Sequence, residues 1–518
     1  MGKREKLYSD VIIIGGGLSG IGMASQLQRQ LRVSDYVIYD RARELGGAWA
    51  ANKYPGCGVD IPGALYSFSW FPNPDFTTPF PSQKEILAYI QHVALVNHVT
   101  EHARLQIEWE GAKWVEASGT WLVSLCNLKT GEGFVHEAKV LISAVGGYTN
   151  PKLPILPGLE EFTGPVVHTA KWSKDYDLRG LNVVVVGNGC SGSQIVPAVI
   201  DEVNSLTQFI RSPQHYVPMP MRNYRFGKTL RACFSHIPLI LMLIRWLIFW
   251  FLDTTLGQFY NNSKGNRKRK ERASYSQRYI TENAPERYRP LLTPDYDLGC
   301  RRRILDNRYI QTLHNPKMNL VKDSIAHVGA NSLTTGSGEE HTVDFIVRCM
   351  WADGVIAQAD QKLKVLATGF KFTQWKAEAV IGQQGKSLQQ HWNDRGGIGA
   401  YKTVAINEFP NMFYLLGPNS GSGHTSVLFA MECSVNLVIK IARPILQRQA
   451  SIVEVRKGAE ADWCGAIQTA LSKTVLTRSC SNQHTDPKNG WNFFSYPFSS
   501  LTFWIGTQFP TMKHWEYR

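Results

Sequence analysis

Two stretches of this chain repeat one local pattern, and that repetition limits the fold more than any other feature. Asp10-Val-Ile-Ile-Ile14 is an unbroken apolar run, as expected of a strand buried on both faces of a parallel sheet. It enters Gly15-Gly-Gly17-Leu-Ser-Gly20, spaced GxGxxG, and then a helical pattern over residues 21–31. Tyr36-Val-Ile-Tyr39 reads as the next strand and ends on Asp40. Glycines there permit a tight turn and close backbone approach, so a pyrophosphate can rest on the free N–H groups of the helix start. An acid about 20 residues further on can accept ribose hydroxyls. The strand Leu181-Asn-Val-Val-Val-Val186 repeats the pattern, running into Gly187-Asn-Gly189-Cys-Ser-Gly192 and a helix carrying Ser191 and Gln194. The strand that follows ends at Arg211-Ser212 with no acid. An Arg at that point accommodates a 2′-phosphate, which selects NADP over NAD.

Two dinucleotide folds in one chain imply electron transfer between two bound cofactors, FAD in the first and NADP, as NADPH, in the second. No CxxC pair stands near the first fold, which disfavours a disulfide reductase. The expected fold class is α/β: two Rossmann-like dinucleotide-binding domains with a helical insertion in the NADP domain. Residues 1–150 form the first part of the FAD domain, 151–369 the NADP domain with its insertion at about 221–290, and 370–518 the rest of the FAD domain and a tail. A length of 518 residues suits two or three domains.

Whole-chain properties exclude several classes. The chain is 43% hydrophobic and 19% charged with 44 glycines, which is ordinary globular composition. Nine scattered cysteines are an odd number, so reduced thiols are expected and no metal site. Residues 1–6 are charged and lead straight into a strand, so no secretory signal is read, and Lys6 stands where myristoylation needs Ser or Thr. The net charge of +14 raises nucleic acid or membrane as partners. No nucleic-acid-reading motif accompanies it, and binding anionic dinucleotides accounts for part of it. Residues 239–252 are apolar apart from Arg245. They are shorter than the roughly 20 residues of a spanning helix, and a central Arg is costly there. The favoured reading is a buried helix of the insertion, with Arg267-Lys-Arg-Lys270 as a solvated loop behind it. The second reading is peripheral membrane contact through a helix lying on the surface. The expected location is cytoplasmic, or peripheral on an intracellular membrane.

Two longer patterns add a family. Phe162-Thr-Gly164-Pro-Val-Val-His168-Thr-Ala-Lys-Trp172 reads FxGxxxHxxxW, and Gly46-Gly47-Ala-Trp49 with Tyr54-Pro55-Gly56-Cys-Gly-Val-Asp60 reads GGxWxxxxYPGxxxD. Both resemble the Baeyer–Villiger monooxygenases, class B flavoprotein monooxygenases that turn ketones into esters or lactones. Trp172 favours that branch over the flavin-containing monooxygenases, and the resemblance covers nearly the whole chain. It implies an NADPH- and O2-dependent FAD enzyme that inserts oxygen beside a ketone carbonyl through a C4a-peroxyflavin. It implies Arg302, within Pro294-Asp-Tyr-Asp-Leu-Gly-Cys300-Arg-Arg-Arg303, as the active-site cation, with Asp60 orienting it. It assigns Arg301, Arg211 and Ser212 to the NADP phosphate and Trp49, Asp60, Tyr66 and Asn419 to cofactor contact; His168, in the linker between the domains, is read as setting interdomain geometry, with a general-base role as the second reading. Ala367-Thr-Gly369 resembles the turn before the chain returns to the FAD domain. A helix from Val427 begins near the flavin ring, its dipole favouring negative charge there. The residue after Trp172 is Ser173, where Pro or Asp is common, and Cys480 is followed by Ser481-Asn-Gln-His484 in place of aromatics. The aromatic tail after Asp486 resembles fungal members acting in secondary metabolism, or packs on the FAD domain. A small-molecule ketone is the expected substrate. Two rivals remain: hydroxylation, epoxidation or N/S-oxidation on the same scaffold, and a non-catalytic flavoprotein scaffold.

Overall fold

Both apolar runs before the glycine loops are central strands with parallel neighbours on both sides in the computed structural model, which describes residues 7–151, 156–172, 176–349, 375–478, 485–486 and 488–518. In the first sheet Leu7–Ile14 lies between Tyr36–Asp40 and Gly133–Ser143, parallel to both. Ile12, Ile13 and Val11 are fully buried. Ala103–Leu105 extends one edge, and an antiparallel meander of Ile107–Val115, Thr120–Asn127 and Gly133–Ser143 forms the other side. After the second sheet is complete the chain returns to the first, where Val380–Ile381 pairs with Ile107–Val115 and Met412–Tyr414 with Gly133–Ser143. The helix after the first loop is Leu18–Gln26, ending in a widened turn at Leu27–Leu31.

The second sheet has five parallel strands in the spatial order Met318–Val321, Ser205–Phe209, Asn182–Val186, Phe345–Arg348, Val166–His168. The Phe162–Trp172 pattern is therefore an edge of this sheet. Gly164 is required there, since a Cβ would stand 2.3 Å from the Asp344 carbonyl oxygen. Trp172 is buried against Phe345 and Tyr176. His168 is buried, and its Nδ1 accepts the Ala170 N–H at 3.0 Å, which puts its ring proton on Nε2.

Helices Lys228–His236, Pro238–Asp253 and Ser263–Asn283 follow the strand Tyr216–Pro218. Here two expectations fail. The apolar helix is not buried: Leu239, Leu243, Leu247 and Phe251 are each more than half exposed. The basic run is no loop; it lies within Ser263–Asn283, where Arg269 is buried and donates to the carbonyls of Gln258 and Tyr260. Composition identifies an apolar helix but not which neighbours the fold supplies to cover it. A third expectation, that every thiol is reduced, fails at Cys300, which is disulfide-bonded; the other seven described cysteines are free. Spacing along the chain does not report which thiols meet in space.

The aromatic tail packs on the FAD domain. Tyr496 and Phe503 join Leu65, Phe249 and Phe429 in one buried cluster, and Trp515 sits in the core beneath the helix Val427–Leu446. Ala367-Thr-Gly369, Ser173 and Cys480–His484 lie outside the described residues.

Candidate active site

Both glycine loops open onto one continuous cleft of about 2510 Å³, lined by Gly15, Gly17, Asp40, Trp49 and Tyr66 on one side and by Ser191, Gln194, Arg211 and Arg301 on the other. The helices behind the loops start in the same way. Leu18–Gln26 begins at Gly17 and Cys190–Val199 at Gly189, each with no side-chain cap and no acid in its first turn. The helix Gln83–Val96, by contrast, carries a complete capping box from Ser82 and Glu85. Uncapped N–H groups at two helix starts are what a bound pyrophosphate satisfies. The third glycine of each loop admits no side chain, because a Cβ on Gly20 would meet the Gly15 carbonyl oxygen at 1.9 Å and one on Gly192 the Gly187 oxygen at 2.3 Å. Asp40 accepts the Gly16 N–H at 2.5 Å and the Ala42 N–H at 2.7 Å, which holds its carboxylate at the rim of the first loop. The residues present thus fit a dinucleotide at each loop.

The GGxWxxxxYPGxxxD segment joins the two halves. Gly46 N–H donates to the Gly16 carbonyl at 2.9 Å. Gly56 (φ +78°) passes so close to the second helix that a Cβ would lie 2.3 Å from the Gln194 carbonyl oxygen. The Tyr54 hydroxyl lies 2.7 Å from Gln194 Oε1 and 3.0 Å from Ser191 Oγ, while Gln194 Nε2 donates to the Gly58 carbonyl at 3.0 Å. Ser191 and Gln194, expected as cofactor contacts, therefore hold the interdomain seam with their side chains while still lining the cleft. Tyr54 was missed as a site residue; its signal was its place in the YPG motif.

Asp60 comes off that seam and meets Arg302, whose Nη2 is 2.6 Å from each carboxylate oxygen. The Asp60 charge raises the Arg302 guanidinium further above its ordinary range, so it is a permanent cation. Each member of the arginine triplet has its own direction. Arg301 donates to Ser212 Oγ and stacks 4.9 Å over the Tyr296 ring. Arg303 shares the cleft with Arg272, and burial, with the neighbouring Arg272 and Arg302 cations, pulls it down to about 10. Trp49 Nε1 donates to the Tyr66 hydroxyl at 3.0 Å. Burial pushes that phenol far up, so it stays protonated. Tyr148 and Cys190 also line the cleft beside Arg302, and desolvation raises the Cys190 thiol to about 11. Nothing in the sequence pointed to Tyr148 except its place just after a strand of the first sheet.

Gly20, Gly187, Gly189, Gly192 and Ser212 belong to the loops and their neighbours without lining the cleft, and Asn419 falls elsewhere. Asn419 does not line the cleft. It is buried at φ +58°, and its side-chain amide donates to the carbonyls of Asn492 (2.8 Å) and Ser495 (3.2 Å), pinning the tail. The left-handed turn after Pro418 directs it away from the cleft, and the following Ser420–Thr425 backbone lines the wall instead.

The fold and cleft define a two-dinucleotide flavoprotein. Residues 13–78 match the model of the NAD(P)-binding Rossmann-like domain. Over 508 residues the chain is 31% identical to a Baeyer–Villiger monooxygenase of Streptomyces coelicolor, covering 97% of this chain and 92% of that one. A Baeyer–Villiger monooxygenase of Pseudomonas aeruginosa is 31% identical over 503 residues, with 96% and 90% covered. Among solved structures, cyclohexanone monooxygenase from Rhodococcus bound to NADP+ superimposes with a TM-score of 0.81 at 24% identity, covering 99% of this chain and 100% of that one. The chain belongs to the Baeyer–Villiger monooxygenases: it is an FAD enzyme that uses NADPH and O2 to insert oxygen beside a ketone carbonyl.

Proposed function

We propose that Arg302 is the catalytic cation of this reaction and that Asp60 positions it. The observation carrying the proposal is the paired 2.6 Å contact of Arg302 Nη2 with both Asp60 oxygens on the wall of the shared cleft. FAD, once bound, supplies the activation of O2 after reduction by NADPH. A fixed cation on that wall would favour the negatively charged, nucleophilic form of the activated oxygen, the form suited to an electron-poor carbonyl carbon. A neutral, protonated oxygen would suit hydroxylation or N/S-oxidation instead, and the charged pair argues against that use. The charge-assisted contact keeps Arg302 from folding onto other acceptors.

The remaining assignments follow from the two glycine loops and the groups beside them. Gly15, Gly17 and Gly20 admit the FAD pyrophosphate, Asp40 accepts its ribose hydroxyls, and Trp49 and Tyr66 flank it. Gly187, Gly189 and Gly192 do the same for NADP, and Arg211, Ser212 and Arg301 hold its 2′-phosphate. Phe162, Gly164, His168 and Trp172 set the edge of the second sheet and touch no reacting atom. The domain limits 1–150 with 370–518, and 151–369, are part of the proposal. Leu247, Ile248, Phe251, Leu252, Phe259 and Phe493 line the cleft, which supports a large apolar ketone such as a secondary-metabolite intermediate. The protein works in the cytoplasm, in peripheral contact with a membrane through residues 239–252.

The test is Arg302→Ala. FAD should stay bound and still be bleached by NADPH without oxygen, while ketone conversion falls by about 10²–10³ and NADPH consumption ends in hydrogen peroxide. Ketone conversion within a few-fold of the parent would sink the assignment.

A further inference from the structure

The helix Pro238–Asp253 is amphipathic in the inverted sense. Leu239, Met242, Leu243, Trp246, Leu247, Trp250 and Phe251 recur at spacings of three and four and so share one face. They are exposed by 38% to 69%. The polar groups of the helix are the ones turned inward. Arg245 reaches into the FAD domain, where Nη2 lies 2.7 Å from Glu432 Oε2 and Nη1 donates to the carbonyl of Ser67. Asp253 is held by His424 Nε2 at 2.9 Å and by the Ser500 N–H at 2.8 Å. Leu241 and Phe249 are buried on the same inner side. Water thus meets an unbroken apolar stripe, and Met221, Tyr224, Leu230 and Ile237 extend the exposed apolar surface upstream.

A patch of this kind has a partner, and the surrounding charge identifies its class. From Arg222 to Arg272 the chain carries eleven Lys or Arg against two Asp or Glu. Arg222, Arg225, Lys228, Lys264, Arg267 and Lys270 are exposed. Of the two acids, Asp253 is the one turned inward, and Glu271 pairs with Arg267 at 3.6 Å. Flanking sequence so basic on both sides of the stripe would repel a second copy of itself and would attract a negative surface. By length and composition Pro238–Gln258 is apolar enough to cross a bilayer. Its packed inner face, with the Arg245–Glu432 pair, forbids crossing and leaves it lying in the interface, where Trp246 and Trp250 suit the headgroup level. Leu247 and Phe251 belong both to the stripe and to the cleft wall.

We infer that this stripe, with its basic flanks, docks the enzyme on an anionic lipid surface, so that the cleft opens beside the bilayer and draws on ketones dissolved in lipid. The inference rests on the peripheral contact proposed above and adds the lipid charge and the route of substrate entry. A docked enzyme reaches a lipophilic ketone at its membrane concentration, without first waiting for it to enter water.

The test uses the FAD-loaded full chain and the variant Leu239→Ser/Leu243→Ser/Trp250→Ser, three exposed positions that do not line the cleft. Co-sedimentation is measured with vesicles of phosphatidylcholine alone and with a phosphatidylserine admixture, at low and high salt. The parent should bind the anionic vesicles, more weakly at high salt, and the variant should bind about tenfold less. Both should oxygenate a water-soluble ketone equally without vesicles, and only the parent should convert a lipid-dissolved ketone faster when anionic vesicles are added. Equal parental binding to neutral vesicles would overturn the anionic inference while leaving peripheral contact standing. Binding to neither vesicle would overturn both. A parental dimer that the variant converts to monomer, without vesicle binding, would make the stripe a self-association surface and also overturn the inference.

Discussion

Replacing Arg245 with Met tests how the apolar helix is fastened. The Arg245 and Glu432 side chains are 11% and 9% exposed. Their contact is 2.7 Å, and Glu432 Oε1 also accepts the Ser69 N–H (2.6 Å) and hydroxyl (2.8 Å). Arg245→Met leaves a buried carboxylate with two donors and no counter-charge, and removes the donor to the Ser67 carbonyl. Breaking a buried pair from one side costs about 3–5 kcal/mol. Arg245→Met/Glu432→Gln removes the orphaned charge and should recover about 2 kcal/mol. The pH dependence has a definite sign. Burial pushes the Glu432 carboxyl above its ordinary range, opposed by Arg245 and Ser69. Without Arg245 it rises further, and a folded-state value above the unfolded one means stability present in acid and lost as pH climbs through the folded value. The deficit of Arg245→Met should therefore be larger at pH 8 than at pH 5. Urea unfolding of the FAD-loaded protein, followed by tryptophan fluorescence, measures it. A cost below about 1 kcal/mol at pH 8, or a deficit neither relieved in acid nor in the double variant, would refute the reasoning.

Two further outcomes separate the cofactor sites. Gly20→Ala, whose Cβ would stand 1.9 Å from a backbone oxygen, should purify without yellow FAD, whereas Gly192→Ala should keep FAD and lose rapid anaerobic reduction by NADPH; flavin absorbance decides between them. Arg211→Ala should raise the KM for NADPH by about ten- to a hundredfold, the loss of one charge-assisted hydrogen bond, and leave that for NADH unchanged in steady-state assays.

What the sequence by itself determined is what depends on neighbours along the chain. Apolar run, glycine spacing, helix and strand-end residue follow one another within about 30 residues in each dinucleotide fold, so strands, turns and both dinucleotide sites were readable from periodicity and turn chemistry. The Asp60–Arg302 pair spans 242 positions and was legible only through the family patterns carried by Gly46–Asp60 and Pro294–Arg303. The resemblance gave Arg301 and Arg302 separate roles, but only the tertiary structure shows what each cation meets, Ser212 and Tyr296 for Arg301, Asp60 for Arg302 and Arg272 for Arg303, because three identical cations in a row differ solely in what the fold sets beside each. Asn419 went to the tail for the same reason, and Ser191 and Gln194 joined the seam with Tyr54. The apolar helix shows the limit most clearly. Its residues specify a helix, but a helix apolar nearly all round does not state which face is inside. That was decided by Glu432, 187 residues beyond Arg245, whose buried carboxylate turned the one mid-helix charge inward and the apolar stripe out.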